Sequence, residues 1–509
     1  MSTRLYLVNP ASDFPTYFSA EVLAGSGLAP GAIMADLALP TLAAMAPAGF
    51  EIRLCDENIS AVDFNCDADY VGITGKINQR QRMVAIAREF RRRGKTVLIG
   101  GPYASLSPGA LRPECDILVR GEIEDIRERL FADLEQRRPQ PEYVGTRPDL
   151  ASSPVPRWDL YPNDHAIAGT LQTSRGCPFE CEFCDVIQYL GRRQRHKPES
   201  LVLAELEALY RAGYRSAFLA DDNFTVIRHR AKGLLAAIRG WQRDKGMDLI
   251  TQVSIEAARD QELLRACAEA GVRHVFIGIE TPNGESLKET RKRQNLHVDL
   301  SEQVLRFAEH GISVTGGLIV GFDADGPDIF DWQLEFAMST PVAIFSIGAL
   351  VAPEATPLYE RMEREQRLVT GGTDVQAIPW TSNIVPKRMS PGELHAGLQR
   401  LCNAVYHPDA FGERVLRFIE LAGSARTPVV PGPPRREIDE DAIRVVMNVR
   451  RMGPAENRMW YRVWSAASQR PHLMPLVTRM LFQYAQVRHM YQVGRYWQPP
   501  ASPGSQPSA

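Results

Sequence analysis

The chain has 509 residues, 44% of them apolar and 24% charged, with a formal net charge of −2. That length allows two or three domains, each with its own core. The near-balanced charge excludes a protein that relies on an overall basic surplus to bind nucleic acid.

The first residues run straight into a short apolar strand, without the longer apolar core and small-residue cleavage site of a secretory signal. No stretch approaches the roughly 18 uninterrupted apolar residues of a transmembrane segment. A cytoplasmic location is expected. Basic clusters at 91–93 and 192–197 read as solvated faces.

Residues 5–9, 51–55, 70–74, 96–99 and 117–119 have the composition of short strands, alternating with helices at 40–46 and 79–93. This alternation predicts a parallel, doubly wound Rossmann-like domain over 1–135. Its strand-ending loops, Asn9-Pro10, Asp56 to Asn58, Thr74-Gly75 and Gly100-Gly101-Pro102, are expected along the carboxyl edge, where such folds bind ligands. A proline- and arginine-rich stretch over 136–165 reads as a linker.

A second β/α series follows, with strands at 170–173, 216–220, 249–255, 274–279, 314–320 and 344–351. Six units at this spacing predict a partial TIM-like (β/α)6 barrel over 166–390, with its polar groups at the strands' carboxyl ends. Residues 391–495 are mainly helical in pattern, and 496–509 read as a disordered tail.

Of eight cysteines, Cys177, Cys181 and Cys184 fall within eight residues, in the run Thr173-Ser174-Arg175-Gly176-Cys177-Pro178-Phe179-Glu180-Cys181-Glu182-Phe183-Cys184. That is not a disulfide framework; a tight cluster of thiols reads as metal or redox chemistry. Gaps of three and two residues let three thiolates reach three irons of a [4Fe–4S] cubane. The fourth iron is then free to chelate a substrate or cofactor. Structural zinc needs four ligands in a closed shell, and His196 is the nearest fourth donor. A fully ligated electron carrier needs a fourth thiolate, and none follows at a matching distance.

The cysteine loop and the six β/α units resemble the radical S-adenosylmethionine superfamily. The preceding sheet domain resembles the cobalamin-binding-domain subgroup. Asp221-Asp222-Asn223-Phe224, the run 321–325 and the stretches 349–357 and 383–389 are similar to the hopanoid and bacteriochlorophyll methylases. The resemblance implies that the three cysteines hold the cluster and that Phe183 lies beside the adenine of S-adenosylmethionine. It places Asp221 and Asp222 at the methionine amino end, and Ser254 and Glu256 at the ribose. Ile279, Glu280, Val320 and Gly321 would edge the adenine site. Asn9, Pro10, Thr74, Gly75, Gly100, Gly101 and Pro102 would frame cobalamin, bound without a protein histidine because none precedes His165.

The activity so implied is C-methylation of an unactivated carbon in a natural-product or lipid-like small molecule, with electrons from a flavodoxin or ferredoxin. A second reading is transfer of a 3-amino-3-carboxypropyl radical to a soft acceptor such as arsenite, as in arsinothricin biosynthesis, with Cys55, Cys66 or Cys115 holding the acceptor. A third is a non-catalytic cobalamin or redox sensor. Trp380, Tyr359 and Phe345 are candidates for the substrate pocket.

Anaerobically reconstituted protein should hold about four irons and absorb broadly near the blue edge of the visible. Cys177→Ala, Cys181→Ala and Cys184→Ala should each abolish iron uptake, while Cys267→Ala and Cys402→Ala leave it intact. Iron and absorbance per protein check this.

Overall fold

The computed structural model describes residues 2–18, 20–296, 298–369, 378–423 and 436–498. In chain order its strands are β1 (Thr3–Asn9), β2 (Ala32–Met34), β3 (Phe50–Asp56), β4 (Tyr70–Thr74), β5 (Thr96–Gly100), β6 (Ile117–Arg120), β7 (Glu142–Val144), β8 (Ala166–Leu171), β9 (Ser174–Arg175), β10 (Arg195–His196), β11 (Ser216–Leu219), β12 (Asp248–Val253), β13 (Val272–Glu280), β14 (Ser313–Val320) and β15 (Ile344–Ala349). They form two parallel sheets and one small hairpin.

The first sheet has the order β3-β1-β4-β5-β6-β7. Every residue of β4 is buried, as a parallel strand covered on both faces requires. The helix Arg80–Arg92 lays Met83, Ile86, Ala87 and Phe90 on this sheet, a three- and four-residue spacing that turns the arginines outward.

The second sheet has the order β15-β14-β13-β12-β11-β8-β2 and does not close. From β8 to β15 its strands follow chain order, as expected of a partial barrel built by right-handed β/α crossovers. Two of the helices outside it are capped by side chains: Asp260 accepts from the Leu263 amide and Asp299 from the Glu302 amide, each at 3.0 Å.

Three features differ from the sequence pattern. The chain between β1 and β3 leaves the first sheet, and β2 pairs with β8 as a seventh barrel strand, Ala32 opposite Ala166. A three-residue strand carries no readable period. β7 lies within the stretch read as linker and extends the first sheet, with only Tyr143 buried. The first barrel strand is β8, at Ala166–Leu171 rather than 170–173; its alanines and glycine are poor strand formers, held by pairing with β11 and β2.

Helices Pro391–Val405, Pro408–Ala422, Glu437–Val449, Pro454–Ser468 and Met474–Val493 complete the chain. The last is buried around most of its circumference. Tyr17, from the segment before β2, donates to the Ile347 carbonyl at 2.9 Å and meets the Tyr491 hydroxyl at 3.0 Å. Tyr496, read as the start of the tail, is buried and stacks on Trp380 with ring centroids 4.1 Å apart. The tail residues 499–509 lie outside the described residues. Among the described residues no helix is long and apolar enough to cross a membrane.

A buried ion cluster joins the β9/β10 hairpin to the carboxyl edge of the first sheet. Arg175 on β9 reaches Glu122 at 2.6 Å and Glu124 at 2.8 Å. Arg195 on β10 also grips Glu122, with one contact at 2.9 Å. Burial works to raise the Glu124 carboxyl, but Arg175 and Ser153 bring it below its ordinary value. Removing one partner of such a cluster strands the others. Glu122→Ala should cost about 3 kcal/mol or more, read as a lower urea midpoint with an unchanged slope.

Candidate active site

The cysteine loop is closed at its base by the antiparallel pair β9/β10, with Arg175 opposite Arg195 and Ser174 opposite His196. Gly176 turns into the loop at φ +95°, where an added Cβ would stand 2.7 Å from the Arg193 carbonyl. Only glycine adopts that geometry without strain. The Cys177 amide donates to the Gly191 carbonyl at 3.2 Å and the Cys184 amide to the Cys181 carbonyl at 3.1 Å.

Cys181 is buried, while Cys177 and Cys184 are half-buried. Burial raises the Cys177 thiol, and burial with the Asp185 charge pushes that of Cys184 up to about 12. These thiols bind metal only after losing their protons.

The strand-end acids divide into two kinds. Asp221, expected at the methionine amino end, is fully buried, and its carboxylate is spent on the loop. It accepts from the Thr173 amide at 2.6 Å, the Ser174 amide at 2.9 Å and the Thr173 hydroxyl. It is therefore a loop-holding group. Asp222 accepts from the Gly176 amide at 2.8 Å through one oxygen, and burial pushes its carboxyl up to about 6. Ser254 and Glu256 follow β12; the Ser254 hydroxyl is buried without a partner among the described residues.

Glu280 ends β13 in a left-handed conformation, φ +66°, and pairs with Lys292 at 2.7 Å. Non-glycine residues held there mark a site the surroundings over-determine. The Ile279 and Val320 side chains are core, so only their backbone can edge a ligand; the Ile279 carbonyl already accepts from Asn295 at 2.9 Å. The Gly321 amide, at φ +100°, donates to Asp325 at 3.0 Å. Phe183 is half-buried and tilts against Phe322 at 6.3 Å.

Three groups were not visible as site residues in the sequence. Arg361 clasps the Glu182 carboxylate from the C-terminal side through two bonds of 2.8 and 2.9 Å. Lys292 and Gln294 sit behind the cysteines. Lys292 and Gln294 lie in a segment without a periodic signal, and Arg361 lies on the helix Pro357–Arg364, whose period does not reveal its partner. Phe345, offered as a pocket residue, is fully buried among Phe336 and Gly316. Trp380 is likewise core, and Tyr359 packs half-buried beside Leu358 and Phe322.

At the edge of the first sheet the loops are tied to one another. Gln79 donates to the Asn9 side chain at 2.9 Å and to the Pro10 carbonyl, and Asn9 donates to Asp56 at 3.2 Å. Gly101, φ +94°, passes so close to Thr74 that a Cβ would lie 2.6 Å from its hydroxyl, and at Gly75 a Cβ would lie 2.6 Å from the Met83 sulfur. Gly100 has room for a side chain. Pro102 opens the helix Pro102–Leu106, which packs on the helix Val186–Tyr189 just beyond Cys184. The carboxyl edges of both sheets thus meet at the cysteine loop.

These residues fit the groups the sequence implies. Three thiols on one loop, with no fourth thiol beside them in sequence, suit three irons of a cubane. Buried oxygens without partners, Ser254 Oγ, Asn223 Oδ1 and Gln294 Oε1, suit a ligand that brings its own polar groups. Asp221→Ala leaves the Thr173 and Ser174 amides, which share its Oδ1, without their acceptor. It should destabilise the loop by about 2 kcal/mol and lower the iron retained per protein after reconstitution, whereas Ser254→Ala should leave iron content unchanged.

The radical SAM superfamily model matches residues 171–331, and a domain of unknown function matches 356–495. An uncharacterized methyltransferase of Synechocystis sp. is 36% identical over 66% of this chain and 64% of its own length. The hopanoid C-2 methylase of Rhodopseudomonas palustris is 34% identical over 66% of each. The alignments therefore span about two thirds of these relatives. Among solved structures, the radical S-adenosylmethionine methyltransferase TsrM of Kitasatospora setae, with cobalamin and a [4Fe–4S] cluster bound, superposes with a TM-score of 0.63 at 17% identity, covering 92% of this chain and all of that one. The cobalamin-dependent radical enzyme OxsB gives 0.60 at 15% identity, over 97% of this chain and 80% of that one. With the three-cysteine loop in the expected place on the partial barrel, the chain belongs to the radical S-adenosylmethionine superfamily.

Proposed function

We propose that the chain is a cobalamin-dependent C-methyltransferase acting on an apolar, natural-product or lipid-like small molecule. The observation that carries this reading is the meeting of the first sheet's carboxyl edge with the cysteine loop, through the helices Pro102–Leu106 and Val186–Tyr189. A methyl carrier on that edge would be brought next to a sulfonium on the barrel. When bound, the cluster supplies the electron that cleaves S-adenosylmethionine and cobalamin supplies the methyl group.

The chain's own residues bind and shield. Cys177, Cys181 and Cys184 hold the cluster, Asp222, Ser254 and Glu256 take polar ends of S-adenosylmethionine, and Gly75 and Gly101 let the backbone approach the corrin. Phe276 on β13 meets Phe18 edge-on at 6.2 Å, and apolar rings there support an apolar substrate and exclusion of water. A flavodoxin- or ferredoxin-type reductant supplies electrons.

The aminocarboxypropyl reading lacks its acceptor site. Cys55, Cys66 and Cys115 are buried in the core of the first sheet, and the Cys55 and Cys115 thiols donate to the carbonyls of Ser60 and Leu111. They are small core residues, as most lone cysteines are. Similarity to named methylases points the same way. It also weighs against a non-catalytic sensor.

Anaerobic incubation with reductant and S-adenosylmethionine should release 5′-deoxyadenosine and, with methylation, S-adenosylhomocysteine. Protein made with hydroxocobalamin should keep cobalt through gel filtration, in a form without histidine ligation. Methylthioadenosine that rises with arsenite, or protein that never retains cobalt, would overturn the methylase.

A further inference from the structure

Behind the cysteine loop runs a second loop, 290–295, that no periodic signal announces. It is fastened at both ends. The Thr290 carbonyl accepts from the Glu182 amide at 3.0 Å, and Asn295 Nδ2 donates to the carbonyls of Gly278 and Ile279 at 3.0 and 2.9 Å. So held, Gln294 points its Nε2 at the Cys181 sulfur, 3.6 Å away. Cys181 is the most buried of the three cysteines. Lys292 lies in the same wall, paired with Glu280 at 2.7 Å, with side chains only 12% and 8% exposed. Its ammonium stands 6.0 Å from the ring of Phe183, the residue just before Cys184, near enough for the Cys181 and Cys184 thiols to favour its charged form.

We infer that Gln294 and Lys292 are positioning residues for the iron–sulfur cluster, one donating a hydrogen bond to a ligating sulfur and the other offsetting thiolate charge, so that both raise its reduction potential. This rests on the reading of the three cysteines as cluster ligands. Three thiolates concentrate negative charge in a half-buried loop, and each electron added increases it. Hydrogen bonds to the sulfurs and nearby positive charge stabilise the reduced state, and they are among the main controls on the potential of such clusters. Glu280 keeps the ammonium in place. Its backbone at the end of β13 is left-handed, φ +66°, a conformation that persists where the surroundings over-determine it.

The test is a redox titration of the full, reconstituted chain, followed by electron paramagnetic resonance of the reduced cluster. Gln294→Leu and Lys292→Met should bind iron as the unaltered protein does, yet have more negative midpoints, so that at the unaltered protein's midpoint well under half of the clusters are reduced. Lys292→Arg should restore much of the lost potential. Gln294→Asn, which keeps the amide but withdraws it by one methylene, should shift in the same direction as Gln294→Leu. It serves as the reading if the leucine variant folds poorly. Midpoints unchanged or raised at full iron content overturn the inference while leaving the cysteine ligands standing. Unaltered protein that takes up no iron overturns both.

Discussion

Arg175 and Arg195 stand opposite each other across the base of the cysteine loop, and both direct their guanidinium groups at Glu122, with Glu124 completing the set. Charges removed from water are tolerable only when each finds a partner, and a member left alone is costly. The partners here come from different sheets. The arginines flank the cysteines, and the glutamates follow β6 at the carboxyl edge of the first sheet. Satisfying the charges therefore fixes the two edges against each other, and it aims the cysteine loop at the same time.

The other side of the loop is held in a similar way from the C-terminal region. Arg361 clasps Glu182, between Cys181 and Cys184, and reaches Asp323 at 2.6 Å. Burial would raise the Asp323 carboxyl, but Arg367, Lys387 and Arg361 hold it well below the usual carboxylate range. A loop carrying three metal-binding thiols cannot enclose a hydrophobic core of its own, so hydrogen bonds and ion pairs from three parts of the chain do the holding. A rigid scaffold presenting a chemically active loop is a common solution in β/α folds.

Within this frame, acids at strand ends have two fates that look identical in sequence. Asp221 is consumed by the Thr173 and Ser174 amides of the cysteine loop and Asp325 by the amides of its own turn, while Asp222 keeps one oxygen free of the loop and Glu256 has no side-chain partner among the described residues. The distinction is set by which amides, near or distant in sequence, are brought up to the acid without strand partners of their own.

The cysteine triplet, the alternation of strands with helices and the order of two sheet domains and a helical end were all legible in the sequence. Each is local: three thiols within eight residues, or a period of two or 3.6, act over distances the chain itself spans. The crossing of β2 into the barrel, the pairing of Arg175 with Glu122 over 53 positions and the approach of Gln294 to Cys181 over 113 were not. The same holds for Tyr496, whose ring is core although its neighbours read as tail. Sequence by itself determined which residues could bind metal and which segments could be strands, because those are properties of side chains and their spacing. Tertiary structure decided which charges meet, which acid is spent and which amide reaches a sulfur. Those outcomes depend on burying distant groups together, and charge burial leaves no mark on the residues immediately next to it.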